Sequence, residues 1–551
     1  MRGIILPEAK NETQKFIEKV HEEFYIQWVS FTERQIIKMK ETKNVQIPIL
    51  KVIIAAIIYV SLPIAIFFLG WLKLYISIPL CTLLVYSIVL FVKNLEEQLA
   101  EKFIVLDKKM IIFLAIVLLA WVYLSGIGGF WVQRWDQNAR NAVLRDLIDY
   151  SWPVIYPQTG NALVYYFVFW LVPALVGKLF GWCAANIALL IWSYIGIVFT
   201  VLLVSYYLNI NIFKKMITFV TILVFWGGLC FLTWALADAI GWHYFGLGTG
   251  YGWTDLISDS KSTTYGYQFT PNTGLLKWVF NQTIVPWIIT GIYLIRRGNI
   301  KEYAFIGLLM LPYGPIPFIG LFFLMLIDAV IYIKEKGVAI AFKDAISLCN
   351  ILSIATIVPI FYLFFKCNVA ANGDVDNGGF GLYVPLSQFT IKRIIVLLLF
   401  YMEEFGIYAI LLFKDNKRKS LFWAILVSLI LIPNFKIGIA HDFCMRACIP
   451  ALFILMLMVT EHFFKIYDGV LKVNTCTILL IIVLSFASLD TLGDYLVDIK
   501  TIRTTQQFPY REDNVVTFSH RPVYNDPEIF YTINFLSPNP KDNAFFKYLA
   551  K

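Results

Sequence analysis

The chain has 551 residues, of which 59% are hydrophobic and only 15% charged, and its mean hydropathy is +0.70. Soluble domains have roughly 45–50% apolar and about 25% charged residues, so this composition excludes an ordinary soluble protein. The formal net charge is +9. It does not indicate a nucleic-acid partner, because Lys and Arg cluster in short segments between apolar runs, where they orient membrane spans.

Apolar runs of about 20 residues recur along most of the chain and predict an all-α polytopic membrane protein. Residues 1–47 are polar and dense in both charge signs, which is typical of a cytosolic amphipathic segment. Residues 48–93 predict a hairpin of two spans, and residues 110–127 a third span. With the N-terminus in the cytosol, the stretch 128–181 then lies outside.

Residues 163–180 are apolar enough to span, but they also suit a helix lying flat at the outer interface. If they spanned, Lys214-Lys215, Arg296-Arg297 and the cations from Lys414 to Lys419 would all lie outside. Treating 163–180 as interfacial keeps the positive charges on the cytosolic side. We adopt that interpretation.

The whole pattern then predicts about 13 transmembrane helices with the N-terminus inside and the C-terminus outside. Residues 110–490 form one transmembrane domain, and residues 491–551 a small extracytoplasmic segment that either caps the outer loops or contributes to a substrate site. The outer loops are predicted to be 128–181, 240–272, 367–388 and 435–444. Almost every polar segment able to perform chemistry therefore lies on one face.

The first outer loop begins with an acid, Asp136, at the start of a segment with helical periodicity. A carboxylate at the membrane surface could act as a general base. It could equally be an N-cap, since Asp is a favoured capping residue. Asp238, at the outer end of a span, could be a second catalytic acid or a helix end that meets water.

Several polar side chains on the predicted outer face could contact a substrate. Arg446, Lys277 and Lys178 could hold a phosphate, although long cations also extend to lipid headgroups for purely structural reasons. The full set of substrate-binding candidates is Arg134, Arg140, Asp146, Lys178, Tyr265, Tyr267, Asn272, Lys277, His441, Asp442 and Arg446, with Gln282 as a candidate without a role.

Glu403 and Glu404 lie inside a predicted span. Charged groups at that depth are costly and usually face a cavity or a partner. They could form an ion or proton pathway, or a satisfied contact between helices.

Trp135-Asp136, the run from Tyr165-Tyr166 to Lys178-Leu179-Phe180-Gly181, and Asp238 together resemble the C-type (GT-C) superfamily of membrane glycosyltransferases. The resemblance covers roughly residues 110–300. It implies inverting transfer of a sugar from a polyprenyl-phosphate donor to an extracytoplasmic saccharide, lipid or protein acceptor. It also implies an outer acid as base, cationic groups on the donor phosphate, and a location in the plasma (inner) membrane. Some members need a divalent cation such as Mg²⁺ or Mn²⁺, so the metal stays open.

Two other functions remain. The chain could be a transporter or flippase for a lipid-linked saccharide, with Glu403 and Glu404 as a coupling site. It could also be a non-catalytic scaffold in envelope assembly. One-sided polar loops and the absence of an evident internal repeat favour the transferase over the transporter.

Overall fold

The computed structural model describes residues 44–134, 136–229, 263–264, 267–368, 380–384, 387, 390–437, 442–505 and 535–551. Within these residues, eight helices are long and apolar enough to cross a membrane, or nine if one bent pair counts as a span. The prediction of an all-α multi-pass membrane protein is therefore confirmed. The predicted total of about 13 spans exceeds this number and stays a prediction.

The helices of the N-terminal half follow the predicted apolar runs, and one additional amphipathic helix lies in the first loop. They are α1 (Ile49–Trp71), α2 (Leu74–Leu99), α3 (Lys108–Leu124), α4 (Asp136–Asp149), α5 (Leu171–Tyr207), α6 (Phe213–Phe225), α7 (Asn272–Val279) and α8 (Ile284–Ile295).

The C-terminal half contains long apolar helices and shorter helices that lie between them in the sequence. They are α9 (Tyr303–Leu308), α10 (Pro315–Lys336), α11 (Val338–Ala345), α12 (Leu348–Lys366), α13 (Ile391–Tyr401), α14 (Ile407–Asn416), α15 (Ser420–Leu431), α16 (Asp442–Ala447), α17 (Ile449–Tyr467) and α18 (Thr475–Thr505). A π-helix, Met402–Gly406, joins α13 to α14.

Within the described residues, four pairs of short antiparallel strands connect segments of the chain. β1 (Val45–Pro48) pairs with β2 (Phe103–Leu106). The segment before α1 and the segment after α2 therefore lie side by side. The other pairs are β3 (Ala162–Leu163) with β8 (Leu536–Ser537), β4 (Thr263–Thr264) with β5 (Tyr267–Gln268), and β6 (Gly381–Leu382) with β7 (Phe435–Lys436).

Helix α5 contains a break at Gly181, where φ is 84° and ψ is −178°. Residues with a side chain rarely adopt this conformation, so glycine allows the helix to change direction here. Leu179 and Phe180, just before the break, are about three-quarters exposed. The break divides the predicted flat helix from the span that follows it, while the position of 163–180 relative to the membrane stays a prediction.

The apolar segment 273–295 does not form one straight helix. Helices α7 and α8 meet at an angle of 94° around a short 3₁₀ turn, Phe280–Gln282. Pro286 is in the first turn of α8, where its missing N–H costs no helical hydrogen bond. The sequence therefore starts a new helix at this point instead of extending the old one.

The predicted end of the transmembrane domain at residue 490 does not coincide with the end of a helix. Helix α18 continues without interruption from Thr475 to Thr505. Three aspartates, Asp490, Asp494 and Asp498, therefore lie on a helix and not in a tail. Their four-residue spacing places them along one face of it.

Helix α17 has a basic residue near each of its two ends. Arg446 lies just before its first turn, and Lys465 is in its last turn. Its 19 residues correspond to about 28 Å, close to the thickness of a bilayer core. Beside Lys465, a pocket of about 650 Å³ is lined by Arg297 and Lys419, two of the cations predicted to be cytosolic. These cations therefore share one end of the molecule, opposite Arg446.

The last residues of the chain pack against the turn between α1 and α2. Lys551 N donates to Trp71 O at 3.0 Å, and Lys73 N donates to Leu549 O at 3.0 Å. Phe545 is fully buried, with its ring centroid 5.1 Å from that of Phe364. Residues 535–551 therefore pack against the helices, and the choice between a cap on the outer loops and a part of a substrate site stays open.

We expect Phe545→Ala to lower the free energy of unfolding by about 3–5 kcal/mol, because it leaves a cavity among aromatic side chains. Thermal unfolding of the purified protein measures the loss. Tyr548→Ala, at a site 59% exposed, is the matched control and should change little. Equal stability of the two variants would mean that the C-terminal segment does not hold the first two helices.

Candidate functional site

Helix α4 positions the predicted catalytic acid. It begins at Asp136, as the sequence pattern predicts, and its apolar residues Val143, Leu144 and Leu147 are buried against the rest of the protein. The Asp136 side chain remains 33% exposed. Its carboxylate is therefore held on a packed helix and stays accessible to a substrate.

Arg140 lies one turn after Asp136 on the same helix. Its Nη1 donates to the Asp136 backbone oxygen at 2.7 Å and lies 3.7 Å from the Asp136 carboxylate. The residue is only 5% exposed, and its Nε makes no hydrogen bond. A buried guanidinium is normally paired with an anion, because desolvation of the charge is costly. One carboxylate at 3.7 Å satisfies Arg140 only in part.

A second guanidinium, that of Arg446, lies near the first loop although it is far from Arg140 in the sequence. Arg446 is 7% exposed, and its Nη1 donates to the hydroxyl of Tyr166 at 2.7 Å. The rings of Tyr165 and Tyr166 lie 3.8 Å apart. Burial raises the pKa of Tyr165 well above its ordinary value, and nearby Tyr166 adds to this effect, whereas Arg140 and Arg446 act to lower it. Both guanidinium groups therefore lie close to this tyrosine pair.

Two buried guanidinium groups near one tyrosine pair, the first of them beside an accessible carboxylate, are suited to an anionic ligand. Guanidinium binds phosphate through two parallel hydrogen bonds, and it is more weakly hydrated than an ammonium group. We name Asp136, Arg140, Tyr165, Tyr166 and Arg446 the first-loop site.

Two other predicted cations have a different role. Lys277 Nζ lies 2.7 Å from Asp498 Oδ2, and Arg134 Nη2 lies 3.1 Å from Asp498 Oδ1 and 3.3 Å from Asp494. Trp131 Nε1 donates to Asp498 at 2.9 Å. The carboxylates of Asp494 and Asp498 already pair with these cations, so Lys277 and Arg134 have a structural role, and their contact with a substrate stays a prediction. We name Arg134, Lys277, Asp494 and Asp498 the ion-pair cluster.

Sequence reasoning missed the two acids of this cluster. The signal was present, since Asp490, Asp494 and Asp498 recur every four residues. Assigning everything after residue 490 to a tail concealed that spacing.

Asp146 and Lys178, both predicted substrate ligands, are bound within the protein. Asp146 is fully buried and accepts a hydrogen bond from the Tyr156 hydroxyl at 2.7 Å. Burial and the Asp146 charge raise the pKa of Tyr156 well above its ordinary value, so this phenol stays a donor. Lys178 Nζ donates to the backbone oxygens of Ile148 and Tyr150. Both side chains therefore hold the loop after α4 in place.

Tyr267 and Asn272 are also structural. Tyr267 is 4% exposed, and its ring packs between those of Tyr383 and Phe400. Its burial, the main cause, raises the pKa of its hydroxyl to about 12. Asn272 Nδ2 donates to Leu223 O at 2.9 Å and so satisfies a carbonyl near the end of α6. Both side chains are packed within the described part of the protein, and their contact with a substrate stays a prediction.

The remaining predicted residues lie outside what the structure describes. These are Trp135, Asp238, Tyr265 and His441, together with the side chain of Asp442, whose backbone begins α16. The described residues contain no group of three or more His, Cys, Asp or Glu able to hold a metal ion. The involvement of Mg²⁺ or Mn²⁺ stays a question for experiment.

The bend between α7 and α8 contains two unpaired amides. Asn281 and Gln282 are fully buried, and no nitrogen or oxygen of either side chain makes a hydrogen bond. Phe280, just before them, packs on Trp170 of the first loop with ring centroids 5.5 Å apart. The bend therefore adjoins the first loop. Asn281 had no signal in the sequence beyond its place in an apolar run.

No protein-family model, no curated protein and no solved structure matches this chain. The long apolar helices place it in the class of multi-pass membrane proteins.

We expect Asp498→Ala to lower the free energy of unfolding by about 3–5 kcal/mol, because it leaves the buried Lys277 charge without its partner. Chemical or thermal unfolding measures this. Asp149→Ala is the matched control. Asp149 is 40% exposed and pairs with Arg145 at 2.6 Å, and a surface pair of this kind contributes about 0–1 kcal/mol. A loss as small in Asp498→Ala as in the control would contradict the structural role of the cluster.

The unpaired amides should reduce stability. We expect Asn281→Leu combined with Gln282→Met, which keep the side-chain size, to raise the free energy of unfolding by about 1–3 kcal/mol, because an unsatisfied buried polar group costs that much. Asn272→Leu is the control and should destabilise, since Asn272 makes hydrogen bonds. Destabilisation by both changes would show that water or a ligand satisfies the amides at the bend.

Proposed function

We propose that the chain is a membrane glycosyltransferase that moves a sugar from a polyprenyl-phosphate donor to an extracytoplasmic acceptor. The observation that supports this best is the first-loop site. It combines two buried guanidinium groups with an accessible carboxylate one helical turn from the first of them. The resemblance of the first loop to GT-C enzymes agrees with this proposal.

In the proposed reaction, Arg140 and Arg446 bind the donor phosphate. Asp136 removes the proton from an acceptor hydroxyl as that oxygen attacks the anomeric carbon. The bond from the anomeric carbon to the phosphate oxygen breaks, the configuration inverts, and polyprenyl phosphate leaves with its charge held by the two guanidinium groups. Positive charge in a site shielded from water stabilises this developing charge more strongly than it would in water.

Asp136 fits the role of base better than the other acids near the first loop. Asp494, Asp498 and Asp146 are almost fully buried and have partners. Asp149 is exposed but lies at the other end of α4, in a close pair with Arg145. Only Asp136 among these acids combines exposure with a position beside Arg140.

A transporter or flippase of a lipid-linked saccharide is the second candidate. The observation that favours it is the burial of Glu403 and Glu404 inside the candidate span Arg393–Asn416. Such residues often mark an ion or proton pathway. A non-catalytic scaffold would need neither the first-loop site nor the buried glutamates.

The decisive experiment measures polyprenyl phosphate released from a panel of synthetic polyprenyl-phosphate sugars by mass spectrometry, with Mg²⁺ or with EDTA. We expect Asp136→Asn to lower kcat by about 10²- to 10⁴-fold, the usual contribution of a general base. Arg140→Lys and Arg446→Lys should raise KM, because lysine cannot form the two parallel hydrogen bonds to phosphate. Asp149→Asn is the control and should retain activity.

Equal turnover by wild type and Asp136→Asn would remove Asp136 from the reaction. If no donor releases its lipid even with a cell-envelope extract as acceptor, the transferase proposal fails. Transport of a lipid-linked saccharide in vesicles, compared between wild type and Glu404→Gln, would then separate the transporter from the scaffold.

A further inference from the structure

Glu404 lies at an interruption of a candidate membrane span. The π-helix Met402–Gly406 inserts an extra residue between α13 and α14, and the carbonyl of Glu403 accepts a hydrogen bond from Leu229 N at 2.9 Å. Single π-turns inside helices occur frequently at functional sites. The interruption therefore joins this helix to the segment that follows α6.

The Glu404 carboxyl is enclosed by protein. The residue is 3% exposed, and its Oε1 is inaccessible to water and makes no hydrogen bond. The backbone of Gly228 lies directly against the carboxyl, where any side chain would clash with it. The hydroxyl of Tyr408 donates to Gly227 O at 2.9 Å and so holds this part of the backbone in place.

Among the described residues, the charged groups that act on Glu404 are acids. They are Glu403 from its own helix and Asp490 from α18. Tyr408 and Cys444, two titratable groups that are neutral at physiological pH, also lie close to it. An ionised carboxylate here would lose its hydration and face like charges, both of which favour the neutral acid.

The lack of space limits what can bind. A metal ion needs several oxygen ligands around it, whereas a proton needs one oxygen and no added volume. We propose that Glu404 is a proton-binding site inside the membrane part of the protein, and that Asp490 connects it to Asp494 of the ion-pair cluster.

The connection follows one face of α18. Asp490 and Asp494 are one helical turn apart on α18, so their side chains follow each other along the same face of the helix. Asp494 pairs with Arg134 at 3.3 Å, at the entry to the first loop. A proton that leaves Glu404 is taken up by ionised Asp490 and then by Asp494, so each step exchanges one O–H bond for another. The site is compatible with either proposed function and rests on neither.

The test is infrared spectroscopy of the full chain in lipid vesicles at pH 7. We expect wild type to show a protonated carboxyl band that shifts in D₂O, and Glu404→Gln to lack it. Glu461→Gln, at a side chain paired with Lys419 and Lys465, is the control and should keep the band. Identical spectra of wild type and Glu404→Gln would overturn the proton site.

Two further measurements keep the test decisive. ¹³C-labelled glutamate should shift the band in wild type, and Glu404→Asp should displace it from the glutamate position, so the assignment holds even if Glu404→Gln does not fold. Asp490→Asn should retain the band but slow its hydrogen–deuterium exchange about tenfold, equivalent to about 1.4 kcal/mol in the barrier. Unchanged exchange in Asp490→Asn would overturn the route through α18.

Discussion

Buried charge must be paired, and this constraint holds the first loop, helix α7 and helix α18 together. Lys277 and Asp498 are both almost fully buried and lie in contact, and Arg134 adds a second cation to the same carboxylate. These residues belong to the first loop, to helix α7 just before the bend, and to helix α18. Separating any two of them would leave a charge in an apolar interior, so the ion pairs hold these three parts of the chain together.

The same constraint defines the candidate site by contrast. Arg134 and Lys277 have acids that neutralise them, whereas Arg140 has only a carboxylate at 3.7 Å and an Nε without a partner. Arg446 approaches the same tyrosine pair through Tyr166. The charge of Arg140 is thus neutralised less completely than the charges of the ion-pair cluster, and this difference is the reason for proposing the phosphate site at the first-loop site.

Interruptions of helices place polar groups inside an otherwise apolar molecule. The bend between α7 and α8 buries two amides, and the π-helix at Met402–Gly406 buries two glutamates. Regular helices satisfy their own backbone groups and can be surrounded by lipid, but irregular backbone at membrane depth is stable only where protein or a cavity surrounds it. Both interruptions are accordingly enclosed by other helices.

The sequence by itself determined the class of protein, the amphipathic helix that begins at Asp136 and the position of Glu403 and Glu404 within an apolar segment. These features are local, because they depend on composition and on helical periodicity. The tertiary structure decided which cations are neutralised. Asp498 is separated from Lys277 by 221 positions, and no periodicity reports such a pairing. It also decided that 273–295 bends and that α18 passes residue 490, because packing between helices determines where an apolar run breaks or continues.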